Sequence, residues 1–337
     1  MNKQFNIADD TITTQITVTN GFFDGGVGTL AGSNLSTSSL SATQKSYYYN
    51  LQYNSKDHFS LTYGHILGSG SAVEDTTTEG TTQAIYKQFF NFTEPSAENL
   101  RDGSGWSMID GTNGANAVTQ EGVYILAAER LQMKDRLNPG TWTLNLSGSN
   151  SAGAAASLSL TDDSKTVEAE SAPFGNRYHI VEGSAGAVTT AYTTKTYGFF
   201  YPDMGILILN GPVIASPFSA SLSASVASNA EGGNVGKFYE KIEGGNYFQA
   251  RREEVISSQH YFCRVPNKEF NFSSNPTFTS GSQGNFTVPT FYRNPKSFIT
   301  QVGLYNDNNE LLAIAKLSKP LLKSYSREAI IKVKLDF

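Results

Sequence analysis

The sequence predicts a mainly β protein, in which antiparallel sheets form a sandwich or barrel-like layer with long loops and a few short helices. Its 337 residues include 17 Tyr and 21 Phe, which suit pleated strands, and 31 Gly, which suit turns. Short strand-like runs follow one another at spacings of roughly 10–20 residues, as in sandwiches and barrels. Only 16% of the residues are charged, and a surface with few charges is easily covered by another subunit.

Charge and cysteine content exclude several classes of protein. The net charge of −5 leaves no basic footprint for nucleic acid. The single cysteine, Cys263, excludes an internal disulfide framework and a Cys-based zinc cage, and its neighbours YFCRV predict a buried strand residue. The start MNKQFNIADD lacks the apolar region of a signal peptide. The most apolar stretch, residues 197–215, is interrupted by Pro202, Asp203 and Gly205, so no membrane partner is expected.

The chain is predicted to divide into four segments. Residues 1–40 carry one short strand in TITTQITVTN and are otherwise rich in Gly, Ser and Thr, which predicts an extended arm that orders against a neighbour. Residues 41–215 predict a β-rich domain. Residues 216–234 are rich in Ser, Ala and Gly and predict a linker that can include a helix. Residues 235–337 predict an α+β region that ends in a β-hairpin and a terminal strand.

Within residues 41–215, strand-like runs and turn residues predict the elements in order. Residues 45–66 predict a hairpin around SKD. Residues 118–148 predict a strand, a short irregular or helical turn and a second strand, with a tight turn at Asn138-Pro139-Gly140. The other predicted strands lie in residues 82–92, between loops at 67–82 and 93–118, and in residues 156–167, 176–183 and 193–211.

The C-terminal region begins with two predicted short helices, at residues 237–245 and 248–259, and strands resume at His260. FITQVGLYN and ELLAIAKLS flank Asp307-Asn308-Asn309, which tolerate positive φ and predict a hairpin that ends at Ser318-Lys319-Pro320. The last eight residues alternate. A strand would therefore turn its apolar side chains towards a core, namely Ile331, Val333, Leu335 and Phe337.

Two runs in this region, YFCRVPNKEFNFSSNPTF (261–278) and the closing residues 297–337, resemble the C-terminal region of virion structural proteins of large tailed bacteriophages. The stretches LQMKDRLNPGTWTLNLSG, LTDDSKTV and YGFFYPDMGILILN are similar in kind to segments of the same family. The resemblance covers residues 118–337. It implies a virion component of the tail or baseplate that is assembled in the host cytoplasm, is present in several copies or as a homo-oligomer, and contacts other virion structural proteins.

No catalytic, cofactor-binding or metal-binding residue is predicted, and the chain is not expected to be an enzyme. The histidines His58, His65, His179 and His260 are scattered, although the first two lie in one predicted hairpin and could come close. Residues 26–31 match G-x-G-x-x-A but lack the strand and helix of a dinucleotide site.

Three acidic or charged runs have two interpretations each. Asp162-Asp163 and the run from Asp307 to Glu310 supply oxygen atoms for calcium, but turns use the same residues, and turns are the preferred interpretation. The run Arg251-Arg252-Glu253-Glu254 predicts a solvated helix face, with pairing across subunits as the alternative.

Two functions remain open from the sequence. The first is a structural virion protein that acts through subunit contacts, in the tail or baseplate or alternatively in the neck or capsid. The second is a receptor-binding or carbohydrate-binding module on the virion surface, in which Trp106 would stack on a sugar, although a buried anchor is the commoner role of tryptophan. A cell-wall hydrolase is disfavoured, because no nucleophile motif or acid/base pair is recognisable.

Overall fold

The computed structural model describes residues 4–23, 29–31, 35–38, 48–68, 81–95, 105–111, 116–218, 233–245, 247–273 and 275–337. The chain forms two compact units. Unit 1 comprises residues 1–17 and 255–337, and unit 2 comprises residues 18–254, so the unit boundaries differ from the predicted segment boundaries. The mainly β class is confirmed, with antiparallel sheets and few, short helices. Among the described residues, no helix is long and apolar enough to cross a membrane.

Unit 2 is built on one large antiparallel sheet that curls into half of a barrel. Numbered in chain order, its strands lie side by side as β2 (Thr29–Ala31), β17 (Tyr247–Gln249), β10 (Thr143–Ser149), β11 (Ala155–Asp162), β13 (Gly175–Ser184), β15 (Gly198–Tyr201), β16 (Ile206–Asn210), β8 (Gly122–Ala128), β5 (Lys56–His65), β4 (Tyr48–Tyr53) and β3 (Leu35–Ser38). Four short strands also belong to the unit: β12 (Glu170–Ala172) and β14 (Ala187–Val188), which pair with β13, and β6 (Ser107–Met108) and β7 (Val118–Thr119), which pair with each other.

The middle of this sheet is covered on both faces, which explains why its strands are apolar without interruption. Strand β16 reads ILILN, and all five of its residues are buried. Its alternate side chains enter two separate cores, because successive side chains of a strand point to opposite faces. Leu207 and Leu209 belong to a buried cluster that we call core cluster 1, and Ile206 and Ile208 belong to a second one, core cluster 2. Core cluster 1 also includes Trp142, Phe200 and Phe238. Core cluster 2 also includes Tyr86, Phe90 and Trp106. The predicted strands around residues 123–126, 143–149, 156–162, 176–183 and 198–210 are confirmed.

The predicted strand at residues 82–92 is wrong, because this segment forms helix α2 (Thr81–Thr93). Its buried side chains recur with a spacing of three and four, which is the period of a helix face: Thr82, Ile85, Tyr86, Phe90 and Thr93. The helix lies directly on β5, since a β-carbon at Gly64 would approach the Tyr86 Cα to 2.9 Å. Aromatic residues favour strands locally, but the helical period of burial outweighs that preference here.

The other face of the sheet carries helix α5 (Gly233–Gly245), which confirms the predicted helix at 237–245. The Phe238 ring stacks on Tyr124 at 4.4 Å and an interplanar angle of 17°. Two shorter helices are α3 (Arg130–Met133) and α4 (Gly211–Ala215). Residues 219–232 of the predicted linker, and residues 24–28, 32–34 and 39–47 around the predicted arm, lie outside the described residues.

Unit 1 contains helix α1 (Ile7–Asp10), a sheet and a separate hairpin. In the sheet, β18 (Arg251–Val265) lies between β1 (Thr11–Gly21) and β23 (Ala329–Asp336). The boundaries between the two units fall inside β1 and β18. Within unit 2, β9 (Arg136–Leu137) pairs with the first residues of β18. The hairpin joins β21 (Lys296–Tyr305) to β22 (Leu311–Ser324), and β19 (Thr279–Ser280) pairs with β20 (Asn285–Phe286). Short 3₁₀ turns occupy residues 276–278 and 289–292.

The predicted terminal strand is confirmed, since β23 pairs antiparallel with β18 from Ala329 opposite Val265 to Asp336 opposite Ser258. Its predicted burial is confirmed for Ile331 and Val333, and Leu335 is half-buried. Phe337 is 72% exposed, so the prediction is wrong for that residue. Its backbone N–H still donates to the Ser257 carbonyl oxygen of β18 at 2.9 Å, but its side chain stays in solvent.

Two further predictions for this region are wrong. Residues 248–259 form strands β17 and β18 instead of a helix, because pairing with β10, β9 and β23 satisfies their backbone. The hairpin does not end at Pro320. Strand β22 continues to Ser324, and an irregularity between the pairs Ile299–Leu321 and Gln301–Lys316 accommodates the proline. The predicted turn is confirmed, with Asn309 at φ 62°.

Candidate functional site

Unit 1 has a small apolar interior. Among its described residues, the buried apolar side chains are Val265, Leu304, Ile331 and Val333, each 6–8% exposed. Both large core clusters of the protein consist of residues of unit 2. A unit of this size would normally bury far more apolar surface to offset its loss of chain entropy. Unit 1 therefore has unusually little of its own core to hold it together.

The same unit exposes many large apolar side chains, and five of them lie on the β21–β22 hairpin. These five, which we call the apolar hairpin surface, are between 47% and 68% exposed: Phe298, Tyr305, Leu311, Leu312 and Ile314. Single exposed apolar residues are ordinary, but a contiguous group marks a binding surface.

The geometry of the hairpin brings three of these side chains together on one face: Tyr305, Leu311 and Ile314. Gly303 pairs with Ile314, and a β-carbon at Gly303 would lie 2.9 Å from Cε2 of Tyr305 and 3.3 Å from Cδ1 of Leu311. The Tyr305 ring and the Leu311 side chain therefore cover the glycine on one face. The opposite face includes Leu304, which is buried. In the described part of the chain this hairpin forms a two-stranded sheet, and such a hairpin is marginally stable unless something packs on it.

A second candidate site is a charged cluster in unit 2 around Arg177, at the edge of core cluster 2. The guanidinium donates from Nη1 to Glu94 at 2.6 Å and from Nε and Nη2 to Glu170 at 2.9 and 2.5 Å. Tyr201 donates its hydroxyl to the same Glu94 oxygen at 2.6 Å. The Phe199 ring lies 4.2 Å from Cζ of Arg177. We call these five residues the Arg177 cluster.

Electrostatics keeps Arg177 charged and Tyr201 neutral. Burial lowers the pKa of the Arg177 guanidinium, whereas the hydrogen bond and charge of Glu170 and the charge of Glu94 raise it, and the net direction is upward. Burial and the charge of Glu94 raise the pKa of the Tyr201 hydroxyl. The cluster therefore links the end of α2 to β12, β13 and β15 through charges that neutralise one another.

His179 extends this network to the predicted turn at Asp162-Asp163. Its Nδ1 lies 3.3 Å from Asp163 and its Nε2 lies 3.5 Å from Glu170, and its ring stacks on Tyr192 at 4.2 Å. Asp162 accepts the Gly140 N–H at 2.8 Å, and burial raises the pKa of its carboxyl against these hydrogen bonds. Because His179 contacts carboxylates and rings instead of a hydroxyl or thiol, the arrangement does not resemble a nucleophilic triad.

A cleft of about 260 Å³ opens beside the cluster and is lined by Phe90, Glu94, Trp106, Ser107, Arg177 and Phe199. Trp106 is 1% exposed, donates its Nε1 hydrogen to Thr93 at 3.2 Å and contacts the Tyr86 and Phe90 rings edge-on at 5.0 and 5.1 Å. Trp106 is therefore a buried anchor, and its ring faces are already covered by protein.

The cluster leads to a stability prediction. Replacing Arg177 by methionine leaves Glu94 and Glu170 without their cation in a partly desolvated position. We expect the free energy of unfolding of unit 2 to fall by about 1–3 kcal/mol, the lower part of the range for buried pairs because these side chains are 22–40% exposed. Urea denaturation measures the change. The control is Arg251→Met, at an exposed arginine of the same unit, and its free energy of unfolding should lie within about 0.5 kcal/mol of the wild-type value. Equal losses in the two variants would show that the Arg177 ion pairs do not stabilise the unit.

The other residues singled out in the sequence lie apart. His58 and His65 are both buried on the single strand β5, seven positions apart, so they do not meet. His260 contacts Thr14 at 3.2 Å. Cys263 is half-buried in β18, where burial raises the pKa of its thiol. Asp307-Asn308-Asn309 is a hairpin turn. No group of three or more His, Cys, Asp or Glu among the described residues could hold a metal ion.

Of the motif at residues 26–31, residues 26–28 lie outside the described part of the chain. The charge run at Arg251–Glu254 is not a solvated helix face. It lies in strand β18, where Glu253 is 8% exposed and pairs with Arg136, and Glu254 lies 3.8 Å from Lys134. Glu253 and Glu254 are therefore paired inside unit 2, because strand pairing brings residues 134–136 beside them.

The Arg177 cluster was not predicted from the sequence, although part of it left a signal. Glu170 and Arg177 stand opposite each other across the β12–β13 hairpin, on either side of a turn at Pro173-Phe174. Opposite charges at such spacing are typical of cross-strand pairs. The contact of Arg177 with Glu94, which is 83 residues away, has no recognisable signal in the sequence. No protein-family model, curated protein or solved structure matches the chain.

Proposed function

We propose that this protein is a structural component of a tailed-phage virion, in the tail or baseplate, and that it acts through contacts between subunits during assembly. The observation that carries this proposal is the apolar hairpin surface on a unit with a small apolar interior. Contact with neighbouring subunits supplies the packing that unit 1 lacks by itself. The resemblance of residues 118–337 to virion structural proteins supports the same function.

The energy of such a contact is moderate for one subunit. Burying the exposed part of the five side chains of the apolar hairpin surface would contribute about 4–6 kcal/mol, before the cost of association. That corresponds to weak pairwise binding. In a particle that holds several copies, each subunit makes several such contacts at once, and the high effective concentration makes the assembly stable.

A pair of substitutions tests whether the apolar hairpin surface is an interface. We expect full-length Leu312→Lys/Ile314→Lys to keep its circular dichroism spectrum and to weaken self-association at least tenfold, because a buried lysine ammonium costs more than the apolar contact gains. Sedimentation velocity over a range of concentrations measures the association.

The matched control is Thr300→Lys, which adds one charge at an exposed polar position of the same hairpin. It should associate like the wild type. If the double variant and the control behave alike, the hairpin is not the contact surface. The virion location has a separate test, since quantitative mass spectrometry of purified particles gives the copy number, and baseplate, neck and capsid proteins occur in different multiples.

The cleft beside the Arg177 cluster favours a second candidate, a receptor-binding or carbohydrate-binding module. Paired carboxylate and guanidinium groups next to aromatic rings can orient sugar hydroxyls. The covered faces of Trp106 weigh against it. Saturable shifts of the Trp106 indole signal in NMR titrations with a panel of monosaccharides and oligosaccharides, abolished by Arg177→Met, would favour this candidate over the structural one.

A further inference from the structure

Lys323 is an unusual lysine because it is fully buried in unit 1. Its side chain has 0% exposure, and its Nζ donates hydrogen bonds to the carbonyl oxygens of Asn267 at 2.8 Å and Ser324 at 3.1 Å, and to Oδ1 of Asn271 at 3.2 Å. All three acceptors are neutral amides. Lysine is almost never fully buried unless a charge pairs with it, so this amine calls for an explanation.

The side chain of Asn271 is held in place next to that amine. Its Nδ2 donates to the carbonyl oxygen of Asn267 at 2.7 Å, and the residue itself is 9% exposed. The same backbone oxygen therefore receives one hydrogen bond from Asn271 and one from Lys323. This shared acceptor fixes the carboxamide with its Oδ1 facing Nζ, so that Cγ of Asn271 lies one bond beyond the contact. An amine and a carboxamide in fixed, water-poor contact are the reactants of an amide exchange.

The three acceptors match the three hydrogens of the ammonium form, so Nζ has to lose one proton before it can act as a nucleophile. Burial lowers the pKa of the Lys323 ammonium, and the negative charges of Glu328 and Glu269 act in the opposite direction. The net direction is downward, which makes the loss of that proton easier.

We propose that Lys323 and Asn271 form an intramolecular isopeptide bond. After the ammonium has released one proton to solvent, the neutral Nζ attacks Cγ of Asn271, the Nζ–Cγ bond forms, and the Cγ–Nδ2 bond breaks. The proton lost by Nζ is taken up by Nδ2, which leaves as ammonia. One amide replaces another, and nothing is oxidised or reduced.

Such a bond would stabilise unit 1, which has little apolar core of its own. The unit buries few apolar side chains, and a chain with one cysteine cannot form an internal disulfide. A covalent link between residues 271 and 323 would close a long loop and join the segment after β18 to strand β22 at the base of the hairpin. Small or weakly packed units commonly depend on such a covalent staple.

Intact mass spectrometry of the full-length protein tests the proposal. The expected mass is the sequence mass, allowing for removal of the initiator methionine, less the mass of one ammonia molecule. Trypsin should release a branched peptide in which residues 269–293 are joined to residues 317–327, uncleaved after Lys323. A mass equal to that of the unlinked sequence would overturn the proposal and leave Lys323 as an unmodified structural lysine.

Three variants identify the reacting groups. Lys323→Arg and Asn271→Ala should each show the full, unlinked mass, whereas Lys319→Arg, at an exposed lysine of the same strand, should keep the loss of ammonia. Asn271→Asp preserves the shape of the site and should lose one water molecule instead. Loss of ammonia that persists in Lys323→Arg would come from another residue and would also overturn the proposal. These outcomes do not depend on where the protein acts.

Discussion

Raising the pH from about 8 to about 11 should lower the free energy of unfolding of unit 2 by about 7 kcal/mol, through deprotonation of its buried tyrosines. Burial is the largest cause that raises the pKa of five tyrosine hydroxyls, and it brings that of Tyr197 to about 12. The other four are Tyr63, Tyr86, Tyr124 and Tyr201, all at most 1% exposed.

The direction of the effect follows from the two states. In the unfolded chain these hydroxyls lose their protons near pH 10, whereas in the folded unit they hold them to higher pH. The stabilisation is therefore complete below about pH 10 and is lost as the pH rises through the folded pKa values. One unit above the unfolded value, each tyrosine accounts for about 1.4 kcal/mol. Five of them together approach the whole stability of an ordinary domain.

Urea denaturation at a series of pH values, with tyrosinate absorbance as a second signal, measures this loss. The informative variant is Tyr124→Phe, since the Tyr124 hydroxyl is buried and has no hydrogen-bond partner among the described residues. It should change little near pH 7 and be more stable than the wild type by about 1.4 kcal/mol near pH 11. A pH profile of Tyr124→Phe identical to that of the wild type would contradict the explanation.

Phe200→Ala should lower the free energy of unfolding of unit 2 by about 3–5 kcal/mol, which is the cost of removing a large side chain and leaving a cavity. Phe200 has 0% exposure and belongs to core cluster 1, where its ring meets Trp142 edge-on at 5.6 Å and 64°. Its position on β15, in the middle of the sheet, leaves its neighbours little freedom to close the gap. Urea denaturation of the full-length protein measures the loss.

Phe174→Ala is the matched control for this change. Phe174 is 50% exposed and stacks on Phe92, itself 49% exposed, at 5.5 Å. Removing it should cost about 1 kcal/mol or less, since little surface returns to water. If the two alanine variants were destabilised equally, Phe200 would not be part of a closely packed core.

Much of the fold could be predicted because strand signals are local. The run ILILN, the alternation of Ile331 and Val333, and the turn at Asp307-Asn308-Asn309 each carry a pattern within a few residues. The helix α2 also carried such a pattern, with Ile85, Tyr86 and Phe90 on one face, and it was missed because aromatic residues suggested a strand. Here the spacing of the apolar residues was the better guide than their type.

The helix predicted at residues 248–259 is wrong for a different reason. Their Arg, Glu and Gln residues suit an exposed helix, and nothing nearby in the sequence contradicts one. Pairing with β9, β10 and β23, all of which are distant in the chain, makes them strands. The candidate sites, too, depend on residues that are far apart in the chain. The exposed apolar residues of the hairpin are visible in the sequence, but their exposure is known only once the rest of unit 1 is placed beside them.

The sequence by itself determined the mainly β class, most of the strands, the terminal strand and the absence of an internal disulfide, because these depend on local periodicity, turn chemistry and composition. Only the tertiary structure decided which side chains meet: Arg177 with Glu94, Lys323 with Asn271, and the separation of His58 from His65 along one strand. It also decided that Phe337 stays exposed while Ile331 is buried. The physical reason is that burial and side-chain contact are set by strand pairing and packing between residues far apart in the chain, which no short window of sequence contains.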